Sequence, residues 1–508
     1  MLKTFVSRTF ATSPAITNKM AVPSLLPAQI FNHKNWLKDL EHKKYPAKQH
    51  VLNVKQHFLK KSSNFNPNEV FFFISGEHLT LYPYCDQSPP FRQNRYFYYL
   101  TGVNIPGSHV LFNLKDEKTT LFLPDIDNDD VMWSGMPMGL KEAQETFDVD
   151  EVKYSKDLED ILHNIATFGN NTILTTDLNA ANNNYTQYLM PGNQDFFYAL
   201  DESRLIKDEY ELALMRHAAQ ITDNSHLATM SAVPIEENEG HIHAEFVYHS
   251  IRQGSKSQSY DPICCSGPNC GTLHYIKNDE TIGNRESILI DAGAEWSCYA
   301  SDVTRCWPVN GKWSAEHLEI YNIVLEMQAE TMKLIKPGQS WEELHLLAHK
   351  IMIKRFLGLG IFENGTEEEI YASGISGSFF PHGLGHLLGM DTHDVGGYAN
   401  YDDPNPLLKY LRLRRPLKAG MVVTDEPGVY FSPFLIEDGL KDPKKAKFVN
   451  QEVLEKYWKI GGVRIEDDII ITNDGYDNMT QITKDPQEIS KIVMGGIQKG
   501  RSYFHVIV

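Results

Sequence analysis

Two acidic residues, Asp291 and Asp302, interrupt an otherwise apolar or small-residue strand pattern between Ile288 and Trp307. Folded as a hairpin about Trp296-Ser297, this stretch sets the two aspartates directly opposite each other, their Cβ atoms roughly 5 Å apart. Two ionised carboxylates at that range repel, so one takes up a proton or both hold a cation. Bridged metal ions in hydrolases lie roughly 3.5–4 Å apart, a spacing such a pair can serve.

Three further stretches carry chemistry of the same kind. Ser378–Gly397 contains His382, His386 and His393. A spacing of four can place two histidines on one helix face, as in HExxH zinc proteases. Here Gly383 and Gly385 argue against a regular helix and no Glu follows His382, so that reading fails. Val422–Phe431 ends a strand at Glu426, because Pro427 cannot continue a ladder, and Asp425 beside it is a rival ligand. In Gly461–Thr472, Arg464 and Glu466 fall on one strand face by period two, and Asp467 and Asp468 read as solvated acids or supports. Glu426 and Glu466 therefore echo the aspartates on a second strand pair with a longer connection. Taken singly, each has an ordinary reading: Asp291 beside Gly293 suits a turn, and Glu466 suits a surface pair with Arg464.

The elements that must position these residues fall into two units. Residues from about 25 to 195 read as α/β, with strands at Val70–Ser75, His109–Asn113, Thr119–Leu123 and Thr172–Thr176 and helices near Gly139–Thr146 and Ser155–Ala166. Asn- and Gly-rich segments at 169–171 and 179–194 mark the exit. A long helix opens after Asp208, which with Glu211 makes an acidic capping box, so a domain boundary is expected near Ala199–Lys207. Ser314 caps a helix ended by Pro337-Gly338, and Ser340 with Glu343 caps another that runs to about Leu357 before Gly358. Strands follow at Gly420–Asp425 and Gly462–Thr472, with a helical insertion, Phe434–Lys459, between them.

At 508 residues two domains are the default. The composition is globular, and the net charge of −18 argues against nucleic-acid or anionic-membrane surfaces while suiting a cation site. No apolar run approaches the roughly 20 residues that span a bilayer. The six cysteines form no CxxC pair and read as small buried hydrophobes in a reducing compartment. Residues 1–20 contain Lys3, Arg8 and Lys19, six Ser or Thr and no acid, the composition of a mitochondrial presequence or of a disordered tail. Met20 offers a second start that would give a cytosolic form.

The ordered motifs around Asp291, Asp302, His386, Glu426 and Glu466 make the chain resemble the pita-bread metallopeptidases, within them the prolidase and aminopeptidase P group. The resemblance covers about residues 204–495, and Pro90–Val103 (PFRQNRYFYYLTGV) marks a creatinase-like N-terminal domain. It implies an α/β (α+β) architecture: a possible presequence at 1–20, a creatinase-like domain at 21–199, a pita-bread domain at 200–495 and a tail at 496–508. It also makes Asp291 a ligand of one metal and Asp302 a bridge between two. His386 and Glu426 would hold the second metal, with Glu466 bridging from the other side. Four carboxylates balance two divalent ions, and an oxygen-rich set with one imidazole favours Mn²⁺, with Co²⁺ or Zn²⁺ as alternatives. The implied reaction is attack by a metal-bridging hydroxide on an Xaa-Pro peptide bond.

By the same resemblance His274 and His393 assist catalysis with Glu426, and His382 lines the pocket. Tyr260 and Arg464 orient the bridging carboxylates, and Arg412 receives a substrate carboxylate, with Arg414 and Arg415 as rivals. The sequence around LHY, HGLGHLLGMDTHDVGGY and LRLRRPLKAGM is closer to prolidase, an Xaa-Pro dipeptidase. The alternatives are an aminopeptidase P acting on longer chains and, more remotely, a non-catalytic binding module. A homodimer is implied, with Trp133 either turned toward a neighbouring active site or packed as an ordinary core residue.

Overall fold

The computed structural model describes residues 35–176 and 184–499. The expected presequence, residues 177–183 of the Asn-rich exit and the tail beyond Lys499 lie outside the described residues.

The N-terminal unit is built on a six-stranded sheet. Val70–Ser75 sits inside it, antiparallel to His109–Asn113 and parallel to Thr172–Leu174. Lys118–Leu123 continues the antiparallel run, and Glu151–Tyr154 and Leu189–Met190 close the edges in parallel. Helices Ala47–Lys61 and Gln194–Leu205 pack together over one face, where the rings of Phe58, Phe72, Phe112 and Phe196 interlock. Burying each such side chain contributes about 1.5–3 kcal/mol. The boundary expected at Ala199–Lys207 falls partly inside this last helix; the chain leaves helical geometry only at Ile206–Asp208. There the expected capping box forms. The Asp208 carboxylate accepts from Tyr210 N and Glu211 N, and Glu211 accepts from Asp208 N.

The C-terminal unit holds two antiparallel strand pairs braced by helices. In the first, Ser287–Asp291 lies between Ile263–Ser266 and Thr304–Pro308. The chain turns at Ser297-Cys298, both with left-handed φ (48° and 65°), as a two-residue hairpin loop requires. This lies one residue beyond the expected turn, so Trp296 pairs with Tyr299 and Asp291 with Thr304 rather than with Asp302. Asp302 instead comes opposite Gly293, where a Cβ would lie 1.7 Å from Ser301 O. The two aspartates are diagonal neighbours.

In the second pair the expectation holds more closely. Asp425 pairs with Asp467 and Gly428 with Arg464, and the register is continuous across the gap, which sets Glu426 opposite Glu466. The single strand expected over Gly462–Thr472 is two, Gly462–Arg464 and Asp467–Ile471, because Pro427 on the partner has no N–H to give. The insertion expected as one helical stretch breaks into short α-helices, Pro433–Leu440, Pro443–Ala446 and Gln451–Leu454, and a 3-10 turn, Trp458–Ile460, since Pro443 and an Asn450 cap each restart the chain.

Helix Glu209–Ala232 packs on the first hairpin and Ala315–Met332 on the second pair. Ser314 and Ser340 cap as expected. The first of these helices stops five residues short of Pro337, and the second runs on to Gly360, whose left-handed φ ends it. The last helix among the described residues, Pro486–Lys499, continues through residue 495, where a domain end was expected. Five cysteines are buried, but Cys85 is exposed, against the expectation for all six. Among the described residues no helix is long and apolar enough to cross a membrane.

Candidate metal centre

Asp291 ends the strand Ser287–Asp291, Asp302 precedes Thr304–Pro308, His386 sits in the Gly-rich loop, and Glu426 and Glu466 occupy the ladder gap. All five line one cavity of about 320 Å³. Gly385 lets the His386 loop lie against the second strand pair: a Cβ there would meet Thr424 O at 2.0 Å. His386 N then reaches Thr424 Oγ1 at 3.1 Å and Thr424 N reaches His386 O at 2.9 Å. His386 Nδ1 lies 3.0 Å from Leu387 O, which leaves Nε2 facing Glu426 Oε1 at 3.3 Å and Asp302 Oδ2 at 3.5 Å. Ligand-capable atoms of Asp302, His386 and Glu466 come within 4.8 Å of one another.

The diagonal aspartates are brought together from the side. The Tyr260 hydroxyl sits within hydrogen-bond reach of both Asp291 Oδ1 and Asp302 Oδ1, its one proton shared between them, and Arg464 Nη2 donates to Asp291 Oδ2 at 2.6 Å. Arg464 therefore pairs with Asp291, not at a sheet surface with Glu466. Burial, then the Asp291 charge, raises the Asp302 carboxyl far above its usual range; burial and Asp302 do the same to Glu466. Burial also pushes Glu426 up to about 7, against the pull of His386. Three buried carboxylates and a half-buried one facing one guanidinium are a donor set that suits divalent cations, so the residues fit the metals expected of them.

The neighbouring acids separate cleanly. Asp425 turns away and accepts from Thr331 Oγ1 at 3.0 Å, leaving Glu426 as the acid that faces the cavity. Asp467 and Asp468 are fully buried rather than solvated. Asp467 pairs with Arg305 at 2.7 Å and with Lys484, while Asp468 accepts from Asp302 N at 3.1 Å.

His274, His382, His393 and Arg412 line the same cavity. His393 packs edge-on against His386, ring centres 4.4 Å apart. His382 Nε2 lies 2.8 Å from Tyr430 Oη, which itself accepts from Arg464 Nη1 at 2.7 Å. Of the three rival arginines only Arg412 faces the cavity, steadied by Tyr401 Oη at 3.2 Å. Arg414 is tied to Glu342 and Asp403, and Arg415 to Glu202. Trp133 is 81% exposed on helix Asn128–Ser134, so its core reading fails.

Three supports stand behind the ligands; the sequence offered Asp468 as one of them, but neither threonine. Thr304 Oγ1 donates to Glu466 Oε2 at 2.6 Å and accepts from Arg464 Nε at 3.0 Å. Thr424 Oγ1 donates to Glu426 Oε1 at 3.2 Å, and Asp468 holds the Asp302 backbone. Each stands two residues from a ligand, on the same strand face, and that period was the available signal.

The geometry has close counterparts. The family model described as metallopeptidase family M24 matches residues 213–473, and that of the aminopeptidase P N-terminal domain matches 50–174. An uncharacterized peptidase of Saccharomyces cerevisiae is 54% identical over 95% of this chain and 88% of its own length. A probable Xaa-Pro aminopeptidase of Sordaria macrospora is 44% identical over 89% of this chain and 96% of its own. Among solved structures, Escherichia coli aminopeptidase P with the inhibitor Pro-Leu superposes with a TM-score of 0.76 at 28% identity, covering 90% of this chain and all (100%) of that one. Pseudomonas aeruginosa aminopeptidase PepP gives 0.73 at 27% identity, over 90% of this chain and 99% of its own. An α/β N-terminal domain followed by a pita-bread domain with this donor set places the chain in metallopeptidase family M24.

Proposed function

We propose that the chain is a dinuclear-metal peptidase that hydrolyses Xaa-Pro bonds and acts as an aminopeptidase on peptides whose second residue is proline. The observation that carries hydrolysis is the convergence of Asp291, Asp302, His386, Glu426 and Glu466 on one cavity with His274 and His393. Proline specificity rests on relatives named Xaa-Pro aminopeptidase and on the aminopeptidase P structures. These favour the aminopeptidase over the prolidase expected from the motif details, and Arg412 in the cavity leaves the dipeptidase as the second reading.

Divalent ions in this set, manganese by its oxygen-rich chemistry, would lower the pKa of a water toward neutrality and polarise the substrate carbonyl. The chain's own residues do the rest. Tyr260 and Arg464 fix the two aspartates, and the Leu387 carbonyl fixes the His386 ring so that Nε2 faces the centre. His274 and His393 donate hydrogen bonds to the carbonyl oxygen as charge develops there. The bond cleaved is a tertiary amide, and the departing proline nitrogen needs a proton, which the cavity's histidines or one of its glutamates would carry.

Protein loaded with Mn²⁺ is incubated with Gly-Pro and with a longer Xaa-Pro-Xaa peptide. Release of the N-terminal residue from the longer peptide is expected. Turnover of the dipeptide alone restores the prolidase reading, and no turnover of either rejects an enzyme. A homodimer that uses the exposed Trp133, and delivery to mitochondria by residues 1–20, belong to the same proposal. Sedimentation of Trp133→Ala and fluorescent fusions of residues 1–20 test them.

A further inference from the structure

The PFRQNRY stretch that marks the N-terminal domain has no part in the metal centre, yet it reaches the loop that carries His393. Arg95, 7% exposed, donates to Glu295 of the hairpin that follows Asp291. Arg92 spans from Glu295 at 3.2 Å to Asp391 at 3.1 Å. The ring of Tyr96 lies under the guanidinium of Arg204, 5.1 Å away, at the end of the helix that leaves the domain. Arg204, 2% exposed, joins the two acids that flank His393, donating to Asp391 Oδ2 at 2.8 Å and Asp394 Oδ1 at 2.6 Å. Lys207 donates to Asp394 Oδ2 at 2.7 Å.

The loop is shaped for this grip. A Cβ on Gly389 would lie 2.2 Å from Asp394 Oδ2 and 2.9 Å from the Lys207 chain, so the ion pair closes only over a glycine. Gly389 O accepts from Ala300 N at 2.8 Å, and Asp394 N donates to Leu387 O at 2.8 Å. Thr392 Oγ1 donates to Ser259 O at 3.1 Å, next to Tyr260. Burial would raise the Asp394 carboxyl, but Lys207 and Arg204 outweigh it and hold it below the usual range. Gly389, Asp391, Thr392 and Asp394 around His393 are therefore tied down, while His393 itself is exposed at the cavity.

We propose that Arg204, Asp391 and Asp394, backed by Arg92 and Arg95, are positioning residues for His393, so that the N-terminal domain sets the placement of a catalytic histidine within its own chain. A hydrogen-bond donor to a developing oxyanion works only when aimed, and a misplacement of about 1 Å can cost about 100-fold. The proposal rests on the reading of His393 as a substrate-contacting donor.

A double-mutant cycle separates the two claims. Asp391→Asn keeps shape and volume, and its partly exposed site, 32% for the side chain, lets the protein fold. Its kcat is expected to fall about tenfold with KM changed less than about twofold and bound metal unchanged. Amide exchange in the peptide spanning residues 387–396 is expected to quicken. His393→Ala alone lowers kcat, and in that background Asp391→Asn adds less than about twofold. Arg204→Lys, which keeps the charge but not the fork, is expected to match Asp391→Asn without adding to it. The proposal is overturned if Asp391→Asn and Arg204→Lys both keep wild-type kcat, or if either retains its whole effect when His393 is absent. If His393→Ala has no effect, the functional reading of His393 fails, and the positioning role fails with it.

Discussion

Thr304→Val tests whether the supports behind the ligands hold the centre. Thr304 is fully buried, and valine matches its shape, so packing is preserved while one hydroxyl is lost. That hydroxyl serves two charged groups at once, Glu466 Oε2 at 2.6 Å and Arg464 Nε at 3.0 Å. A buried group stripped of its partner costs about 1–3 kcal/mol, so two lost contacts bound the penalty at about 2–6 kcal/mol. Arg464 keeps Tyr430 and Asp291, which puts the expected cost in the lower half of that range. Part appears in folding and part as disorder of Glu466. At about 1.4 kcal/mol per tenfold, a share of about 1.4–2.8 kcal/mol weakens metal binding about 10–100-fold. Isothermal titration of Mn²⁺ into metal-free protein reads this directly, with Thr304→Ser, which keeps the hydroxyl, expected within about threefold of wild type. If Thr304→Val binds metal as tightly as wild type, the hydroxyl does not brace Glu466 and the argument from period-two supports falls with it.

Asp302 and Glu466 stand well above the carboxylate range and Glu426 at about 7, so these groups favour the fold while protonated. Their contribution to the stability of chelator-treated protein should thus be fully present below the unfolded carboxyl pKa, about 4.3, and be lost as pH rises through about 7. Thermal denaturation of the chelator-treated protein and of its Glu466→Gln variant reads this: the variant should gain on the parent from about pH 5 to about pH 8, and an unchanged gap would contradict the repulsion. Glu426→Gln should abolish turnover by about 100-fold or more, whereas Asp425→Asn, turned toward Thr331, should keep metal stoichiometry and most of kcat; equal losses in metal analysis and kcat would mean the acids are misassigned. Arg412→Ala should raise KM for an Xaa-Pro dipeptide about tenfold more than for an Xaa-Pro-Xaa peptide, since only the former ends at the proline carboxylate. Equal shifts in steady-state assays would remove the carboxylate contact.

Residues that announce themselves by type were legible in the sequence. The five donors, Glu426 before Pro-Gly among them, face the cavity as read, Tyr260 reaches the two aspartates behind it, and the Asp208 capping box and the Ser314 and Ser340 caps were visible because capping needs particular side chains at fixed spacing. The aspartate register was misjudged because the hairpin turns on Ser297-Cys298, neither of them a residue that advertises left-handed φ. Thr304 and Thr424 passed unseen because threonine is ordinary in any strand. The grip of Arg92 and Arg95 on Glu295 and Asp391 joins positions about two to three hundred residues apart, and no local pattern encodes it. The arginine loop could not be resolved either, since the partners that occupy Arg414 and Arg415 lie at Glu342, Asp403 and Glu202.

The continuous register on both sides of the Glu426–Glu466 gap separates chain length from geometry. The strand pair is locked by Asp425 with Asp467 below the gap and Gly428 with Arg464 above it, while the chain between Tyr430 and Gly462 leaves and returns at one end of the ladder. Doubling the length of such a connection costs only about 0.6 kcal/mol of closure entropy. Its turn around Lys441 and Asp442 is exposed and does not line the cavity, which Leu435 borders. That turn is therefore a place where a tag, a reporter or a whole small domain can be spliced into the chain without moving either glutamate.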